Sequence, residues 1–298
     1  MSVNIPTHYV SQFSSNIGLL LQQKGSRLRG AVSTGSHVGK QASPIDQMAA
    51  ITAQTVVGRF NPKVRTDAQM DRRWVVPIDK EVNQLLDSYD KLRLLTDPES
   101  KYVENAVNAM GRAMDEEIIT RFFGTNLTGE TGATSTTFPT ANAVGVNQGA
   151  ASATNLTVAK LREAKRLLMS FNLDMTSEEL FCAVNATNHD NLLSEIEVTS
   201  QDFNPGEAVL KEGRIARFLG VNFIHTELLA TGTDDQSGTS TSVPLWAKSG
   251  VHLGLWADIK TSISTRYDLQ SEPFQAMASA TFGATRLEEN KVIRIWAR

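Results

Sequence analysis

Apolar side chains fall three and four positions apart through residues 96–124, TDPESKYVENAVNAMGRAMDEEIITRFFG. Val103, Ala106, Val107, Met110, Ala113, Met114, Ile118 and Phe122 form one stripe, which predicts a helix with a single buried face. Thr96 or Asp97 suits its N-cap, Pro98 its first turn, and Glu99 the positive end of its dipole. Gly124 supplies the stop. At ~1.5 Å per residue the helix runs to roughly 40 Å, long for an ordinary domain. Lys101, Glu104, Asn108, Arg112 and Glu116 lie elsewhere on the cylinder and predict a wet side.

The rest of the chain is organised around that helix. Residues 8–23 carry Val10, Phe13, Ile17, Leu20 and Leu21 at helical spacing, a short amphipathic helix docked on something else. From Arg27 to Pro77 the periodicity is lost and short β-prone pieces alternate with glycine and proline, which predicts a long projecting β-rich loop. Val82, Leu85, Leu86 and Tyr89 suggest a short helix in the lead-in, 78–95. After Gly124, residues 125–155 are rich in Thr, Ala, Gly and Asn and read as a surface excursion. A helix is predicted over 157–169, a buried strand at Leu180–Val184, and a short helix over 188–196. Residues 213–229 read as strand, turn at Gly220, and strand from Val221. The Thr/Ser/Gly/Asp stretch 231–242 reads as a loop. The last third alternates in β fashion, with ATFGATR and KVIRIW around Glu288, Glu289 and Asn290 predicting a C-terminal hairpin. No repeat of 20–50 residues is visible.

Composition narrows the class. The chain has 298 residues, a net charge of -3 and one cysteine. That length allows one large or two ordinary domains, and the charge argues against a free-standing nucleic-acid binder. Cys182 lies in the apolar run LFCAV and reads as a small buried residue. The start, MSVNIPTHYVSQ, lacks the basic and apolar regions of a secretory signal, and no apolar run approaches membrane-spanning length. A soluble protein of a reducing compartment is expected, with no membrane association.

Charge is uneven along the chain. Residues 1–80 hold ten Lys/Arg against four Asp/Glu, and residues 81–130 hold ten acids against five bases. A basic arm and loop followed by an acidic body suits contact between copies of one chain. Arg59, Arg65, Arg72 and Arg73 on the loop, and Glu104, Asp115 and Glu116 on the helix, are the expected assembly contacts.

Catalytic signatures are wanting. GSHVGKQ (35–41) is a near miss for a phosphate loop: one residue is missing between the glycines, and Gln41 stands where Ser or Thr would hold Mg²⁺. His8, His37, His189, His225 and His252 show no metal-ligand spacing. A thiolate nucleophile at Cys182 would sit in an apolar strand, and no G-x-S-x-G occurs. The pairs Asp234/Asp235, Glu178/Glu179 and Glu288/Glu289 sit in loops or turns, and Asp115, Glu116 and Glu117 ride the long helix. The expectation is no catalytic, cofactor-binding or metal site, and no enzyme.

Taken in order, these elements resemble the major capsid proteins of tailed double-stranded DNA bacteriophages, whose fold encapsulin compartments share. The pattern G-x-I-x-x-x-x-G-V-x-F-I-x-T-x-x-L over 213–229 is similar to the strand–turn–strand of that family's axial domain. FGATRLEENKVIRI is similar to its closing strands, with Gly283, Arg286, Val292 and Ile295 in place. The resemblance implies an α+β fold with an N-terminal arm (1–27), an extended β loop (28–77) and a peripheral domain (78–149) holding the spine helix (97–123). An axial αβ domain (150–260) and β strands returning to the peripheral domain (261–298) complete it. It also implies a structural role: hexamers and pentamers of an icosahedral shell enclosing double-stranded DNA, with weak inner-wall contact to the DNA. A separate scaffolding protein and a portal would be partners, the host cytoplasm the place of assembly, and the virion the destination. An encapsulin-like compartment shell and a soluble α+β enzyme with a site formed only in three dimensions are the alternatives.

Overall fold

The computed structural model describes residues 19–39, 42–56, 58, 59, 62, 63, 65–87, 99–199, 213–270 and 272–298. The amphipathic segment 8–23 lies largely outside them, and residues 19–23 carry no helix. The caps expected at 96–98 also lie outside.

The long helix, α1 (Glu99–Phe123), packs across a four-stranded sheet. Its strands are β1 (Ser33–Ser36), β4 (Ile78–Leu86), β13 (Val251–Thr265) and β14 (Phe274–Arg286), in the order β1-β13-β14-β4. On β14 the period of two turns Ala278, Ala280, Phe282 and Ala284 toward the helix, where they join Met110, Met114, Ile118 and Phe122 in one core. Alanines at three of those four positions let a helix carrying methionines and phenylalanine lie close to the sheet. The segment 78–86 is a strand rather than the helix its leucines suggested. It pairs antiparallel with β14 from Ile78↔Phe282 to Leu86↔Phe274, and tertiary pairing overrides a short apolar spacing that fits either period.

A seven-stranded sheet forms the second body. Its strands are β7 (Ala143–Val144), β8 (Leu180–Val184), β9 (Arg217–Phe218), β10 (Val221–His225), β11 (Thr231–Thr233), β12 (Thr239–Ala247) and β15 (Val292–Ala297). They run in the order β7-β15-β12-β8-β10-β9, with β11 paired to β12. Leu219 and Gly220, both at positive φ, make the tight β9–β10 turn. Helices α2 (Val158–Ser170) and α3 (Ala186–Leu193) are capped by the side chains of Thr157 and Asn185, and the single turn α4 (Ile196–Thr199) follows them. Val158, Leu161, Ala164, Leu168 and Leu192 from the two longer helices meet Cys182, Val184, Phe223, Leu245 and Ile293 in a second core.

The two cores share strands. Cys182, Leu245 and Ile293 face the α2–α3 side, while their neighbours Ala183, Trp246 and Val292 belong to the α1 core. Burial on both faces explains why LFCAV and VPLWA are continuous apolar runs rather than alternating ones. Trp246 is the joint: its ring stands 4.5 Å from that of Phe122 and 6.0 Å from that of Phe181, and its Nε1 donates to Ala31 O at 2.8 Å.

Two further expectations are revised. Strands β14 and β15 do not form a hairpin: β14 pairs with β13 and β4, and β15 pairs with β12 and β7. The turn at 288–290 therefore carries the chain from one sheet to the other. The stretch 231–242 is not a loop but belongs to the hairpin β11–β12. Its short polar residues conceal a strand because Ser240 and Ser242 are buried with hydrogen bonds.

A small third sheet carries the outer hairpin. Strands β2 (Ser43–Met48) and β3 (Met70–Val75) pair antiparallel, and β3 continues onto β5 (Asn126–Thr128), which pairs with β6 (Thr134–Thr136). The expected excursion 125–155 is thus built into the molecule, with Asn126, Asn142, Val144 and Val146 buried.

Candidate assembly surfaces

Residues 22–28 lie along α1 on the side expected to be wet. Asn108, Gly111, Arg112 and Asp115 recur at helical spacing and form the seat for this stretch. Asn108 Oδ1 accepts from Gly25 N at 3.0 Å, and Arg112 donates to Gln22 Oε1 at 2.8 Å. Asp115 is fully buried and accepts from Gln23 Nε2, Ser26 Oγ, and the backbone nitrogens of Arg27 (2.9 Å) and Leu28 (3.1 Å). Four donors on one carboxylate offset the cost of burying its charge. Gly111 permits the approach: a Cβ there would sit 2.6 Å from Ser26 N and 2.7 Å from Gly25 Cα. Beyond this seat Leu28, Ala31 and Val32 enter the α1 core. Asp115, expected at an intersubunit contact, is occupied within its own chain.

The basic residues of the loop divide in the same way. Arg73 is buried and donates to Glu289 at 2.9 Å, so it ties the root of the outer hairpin to the 288–290 crossing. Arg72 pairs with Asp46 across β2–β3, and Arg65 with Asp67 at 2.7 Å. Arg59 is exposed. On α1, half-buried Glu104 pairs with Lys101 at 2.9 Å, and Glu116 is exposed. Asp46 and Asp67 already stand in the count over residues 1–80, and Glu289 beside Arg73 lowers the loop's positive surplus further.

The outer hairpin also exposes large apolar side chains. Met48 is 66% exposed, Ile51 63%, Val56 89% and Met70 75%. A two-stranded ribbon has no second layer to cover such side chains. Sequence reading followed the arginines and passed over these residues, although the run Met48–Val57 (MAAITAQTVV) has no charge and shows the signal.

The remaining candidate chemistry is structural. Cys182 is wholly buried, and burial pushes its thiol pKa up. Asp234 accepts from Ser240, from the backbone of Gly238 and Gln236, and from Arg298, which together hold its carboxyl down at about 2. Asp235 accepts from Val146 N, Glu178 from Ser249, Glu179 from Lys248, and Glu288 from Lys291. His189 Nε2 accepts from Ile215 N, and His225 lies beside Glu227 and Arg27. Buried Lys160 donates to Thr154 O at 2.6 Å and Trp296 O at 2.8 Å, and burial lowers its pKa to about 8. Arg286, fully buried, donates to Phe122 O at 2.8 Å and Gly124 O at 3.1 Å, closing the C-terminus of α1 with a cation. Among the described residues no three His, Cys, Asp or Glu side chains converge as metal ligands.

Comparison with known proteins agrees with this picture of a scaffold. Curated proteins provide no significant match. Among solved structures, the capsid of cyanophage P-SCSP1u superposes with a TM-score of 0.72 at 13% identity, over 96% of this chain and 92% of that one. The capsid of Ralstonia phage GP4 gives 0.73 at 9%, over 100% and 98%. Cyanophage Pam1 gives 0.72 at 12%, over 99% and 98%. At such identities the likeness establishes the fold. A family profile described as phage capsid protein matches residues 5–297, and with nearly the whole chain covered, this protein belongs to the phage capsid protein family.

Proposed function

We propose that this structural capsid protein closes an icosahedral shell of hexamers and pentamers around double-stranded DNA, with the outer hairpin laid on a neighbouring copy. One observation carries the reading: Met48 and Met70 at the end of the β2–β3 ribbon, and Ile51 and Val56 in the connection beyond it, are exposed apolar side chains. Copies of one chain that each cover such a ribbon bury apolar surface at every contact, and contacts weak alone sum over the shell. Arg59, Arg65, Arg72, Glu104 and Glu116 are the outward charges of this contact, and they set register more than affinity. Arg73 and Asp115 contribute indirectly, by fixing the hairpin root and the 22–28 stretch within the subunit.

The division into arm (1–27), loop, peripheral body and axial domain (150–260) follows the same reading. Burial of Leu28, Ala31 and Val32, with the pairing of β1 to β13, supports beginning the part of the loop that reaches a neighbour after His37 rather than at Leu28. A separate scaffolding protein and a portal are the expected partners in the host cytoplasm, the DNA contact is weak, and no catalysis is involved. The mild negative charge favours packing and release over tight phosphate binding.

The test is a combined Met48→Ser, Ile51→Ser, Val56→Ser variant, with and without a co-expressed scaffolding protein. The subunit should stay folded by circular dichroism while shell yield by electron microscopy and sedimentation falls at least about tenfold, since ~1.4 kcal/mol lost at one contact weakens that contact tenfold and the loss recurs at every copy. Undiminished yield would remove the hairpin from the assembly contact. Arg59→Glu with Arg65→Glu and Arg72→Glu should act in the same direction but more weakly, and high salt should narrow the difference from wild type.

A further inference from the structure

Where the chain leaves the four-stranded sheet for the outer hairpin, two histidines meet. His37 follows β1 directly, and its backbone nitrogen donates to Leu255 O at 2.9 Å. His252 lies on β13, and the two Nε2 atoms stand 2.9 Å apart. Each remaining ring nitrogen faces a serine: Ser43 Oγ, at the start of β2, is 2.7 Å from His37 Nδ1, and Ser33 Oγ is 3.0 Å from His252 Nδ1. Trp256 stacks on His37 with centroids 5.1 Å apart. Gly35 and Gly254, partners across β1 and β13, leave space for both rings. A Cβ on Gly35 would stand 2.8 Å from His252 Cε1, and one on Gly254 2.6 Å from His37 Cδ2.

One arrangement of protons satisfies every contact of the pair. Ser33 donates its hydroxyl proton to Val251 O at 3.0 Å, so toward His252 it accepts, and neutral His252 carries its proton on Nδ1. The Nε2 of His252 is then a lone pair, which His37 must meet with Nε2–H. His37 Nδ1 accepts in turn from the Ser43 hydroxyl. One direction of donation runs from Ser43 through both rings to Ser33 and Val251 O.

That direction distinguishes a first proton from a second. The first binds His37 Nδ1; Ser43 rotates to accept from it, and the Nε2–H···Nε2 bond survives. The second has only His252 Nε2 left, where two N–H groups and two positive charges would face each other at 2.9 Å. We propose that the His37–His252 pair is a proton-operated latch at the root of the outer hairpin, closed with no proton or one bound and released by the second. The latch is a property of the single chain, so it stands or falls independently of the shell contact proposed above.

Charges around the pair are otherwise committed. On β2, Asp46 pairs with Arg72; on β3, Arg73 pairs with Glu289. On β4, Asp79 lines the same cavity of about 470 Å³ as His37 and accepts from Thr281 at 2.7 Å. On β13, Asp258 pairs with Arg29, and on β14, Arg286 turns into the end of α1. Burial, reinforced by the charge on His37, holds His252 at about 4, and burial lowers His37 as well. A freed imidazole titrates at about 6.5. The open form therefore binds protons more readily. Closure is fully favoured above about 6.5 and weakens as pH falls toward about 4, by up to about tenfold per pH unit for each proton taken up.

Hydrogen exchange read by mass spectrometry on the full-length protein tests this at about pH 7 and about pH 4, corrected for the intrinsic rate. Peptides covering 33–39 and 251–256 should lose at least about tenfold in protection on acidification while the centre of α1 does not. A double His37→Gln, His252→Gln variant should lose that pH dependence. Equal protection at both pH values, or wild-type pH dependence in the variant, would overturn the latch. Should the variant not fold, ¹⁵N-histidine NMR of the wild type decides. A neutral Nδ1–H tautomer at His252 and two separated titration steps support the proposal, whereas two independent steps near 6.5 refute it.

Discussion

Strand β8 and the outer hairpin both carry apolar residues, but they use them in opposite ways. In β8 every residue from Leu180 to Val184 has a core to enter, Leu180, Cys182 and Val184 on the α2–α3 side and Phe181 and Ala183 on the α1 side. In the hairpin, Met48 and Met70 pair in register at the far end of β2–β3 and remain exposed. One region is complete as a single chain, and the other leaves its apolar surface for something outside. The polar groups follow suit. Asp115, Arg286 and Lys160 are buried with intrachain partners, whereas Arg65 and Arg72 sit in exposed pairs that contribute little to stability. If the hairpin makes the proposed contact, stability and assembly rest on different residues, and substitution can separate them.

The largest effect is expected inside the α1 core. Met110→Asp places an unpaired carboxylate at a position 1% exposed and should abolish soluble subunit, at a cost above about 4 kcal/mol. Val107→Asp, at a half-buried position on the same helix, should cost less and leave some folded protein. If both behave alike in a solubility and circular-dichroism assay, the division of the helix into buried and half-buried faces is wrong. Trp246→Ala should cost about 3–5 kcal/mol in denaturant unfolding, because it empties the joint between the two cores and leaves Ala31 O without its donor. A loss below about 1 kcal/mol would mean that the cores do not depend on this side chain.

Gly111→Ala probes the seat of the 22–28 stretch. The added methyl should push that stretch off α1 and cost about 1–3 kcal/mol, with raised proteolysis near Gly25 as the local readout. Unchanged proteolysis would show that the stretch does not rest there. Smallest of all should be the effect of the hairpin serine variants on unfolding of the isolated subunit, within about 0.5 kcal/mol. A larger loss would erase the contrast between the two regions.

Periodicity made several elements legible from the sequence. The stripe from Ala106 to Phe122 identified α1 and most of its buried residues, LFCAV identified β8, and Gly220 marked the β9–β10 turn. These signals are local: a helix face, a strand or a turn is written within a few consecutive residues. The surroundings of the charged residues were less legible. Arg73 and Asp115 looked like surface charges because a charged residue is usually exposed, and only their distant partners Glu289 and Ser26 show otherwise. Neither histidine spacing nor any motif announced the meeting of His37 and His252, which are 215 residues apart.

By itself, then, the sequence determined α1, the regions of α2 and α3, strands β8, β9, β10, β14 and β15, the absence of familiar catalytic motifs and the family resemblance, since each is carried by residues near one another or by their order. Tertiary structure alone decided that β14 and β15 enter different sheets, that 78–86 is a strand, and that Asn108 and Arg112 of α1 belong to a seat while Glu116 stays on a wet side. Those outcomes depend on which distant segment offers hydrogen bonds and apolar contact, and no local pattern of polar and apolar residues encodes that choice.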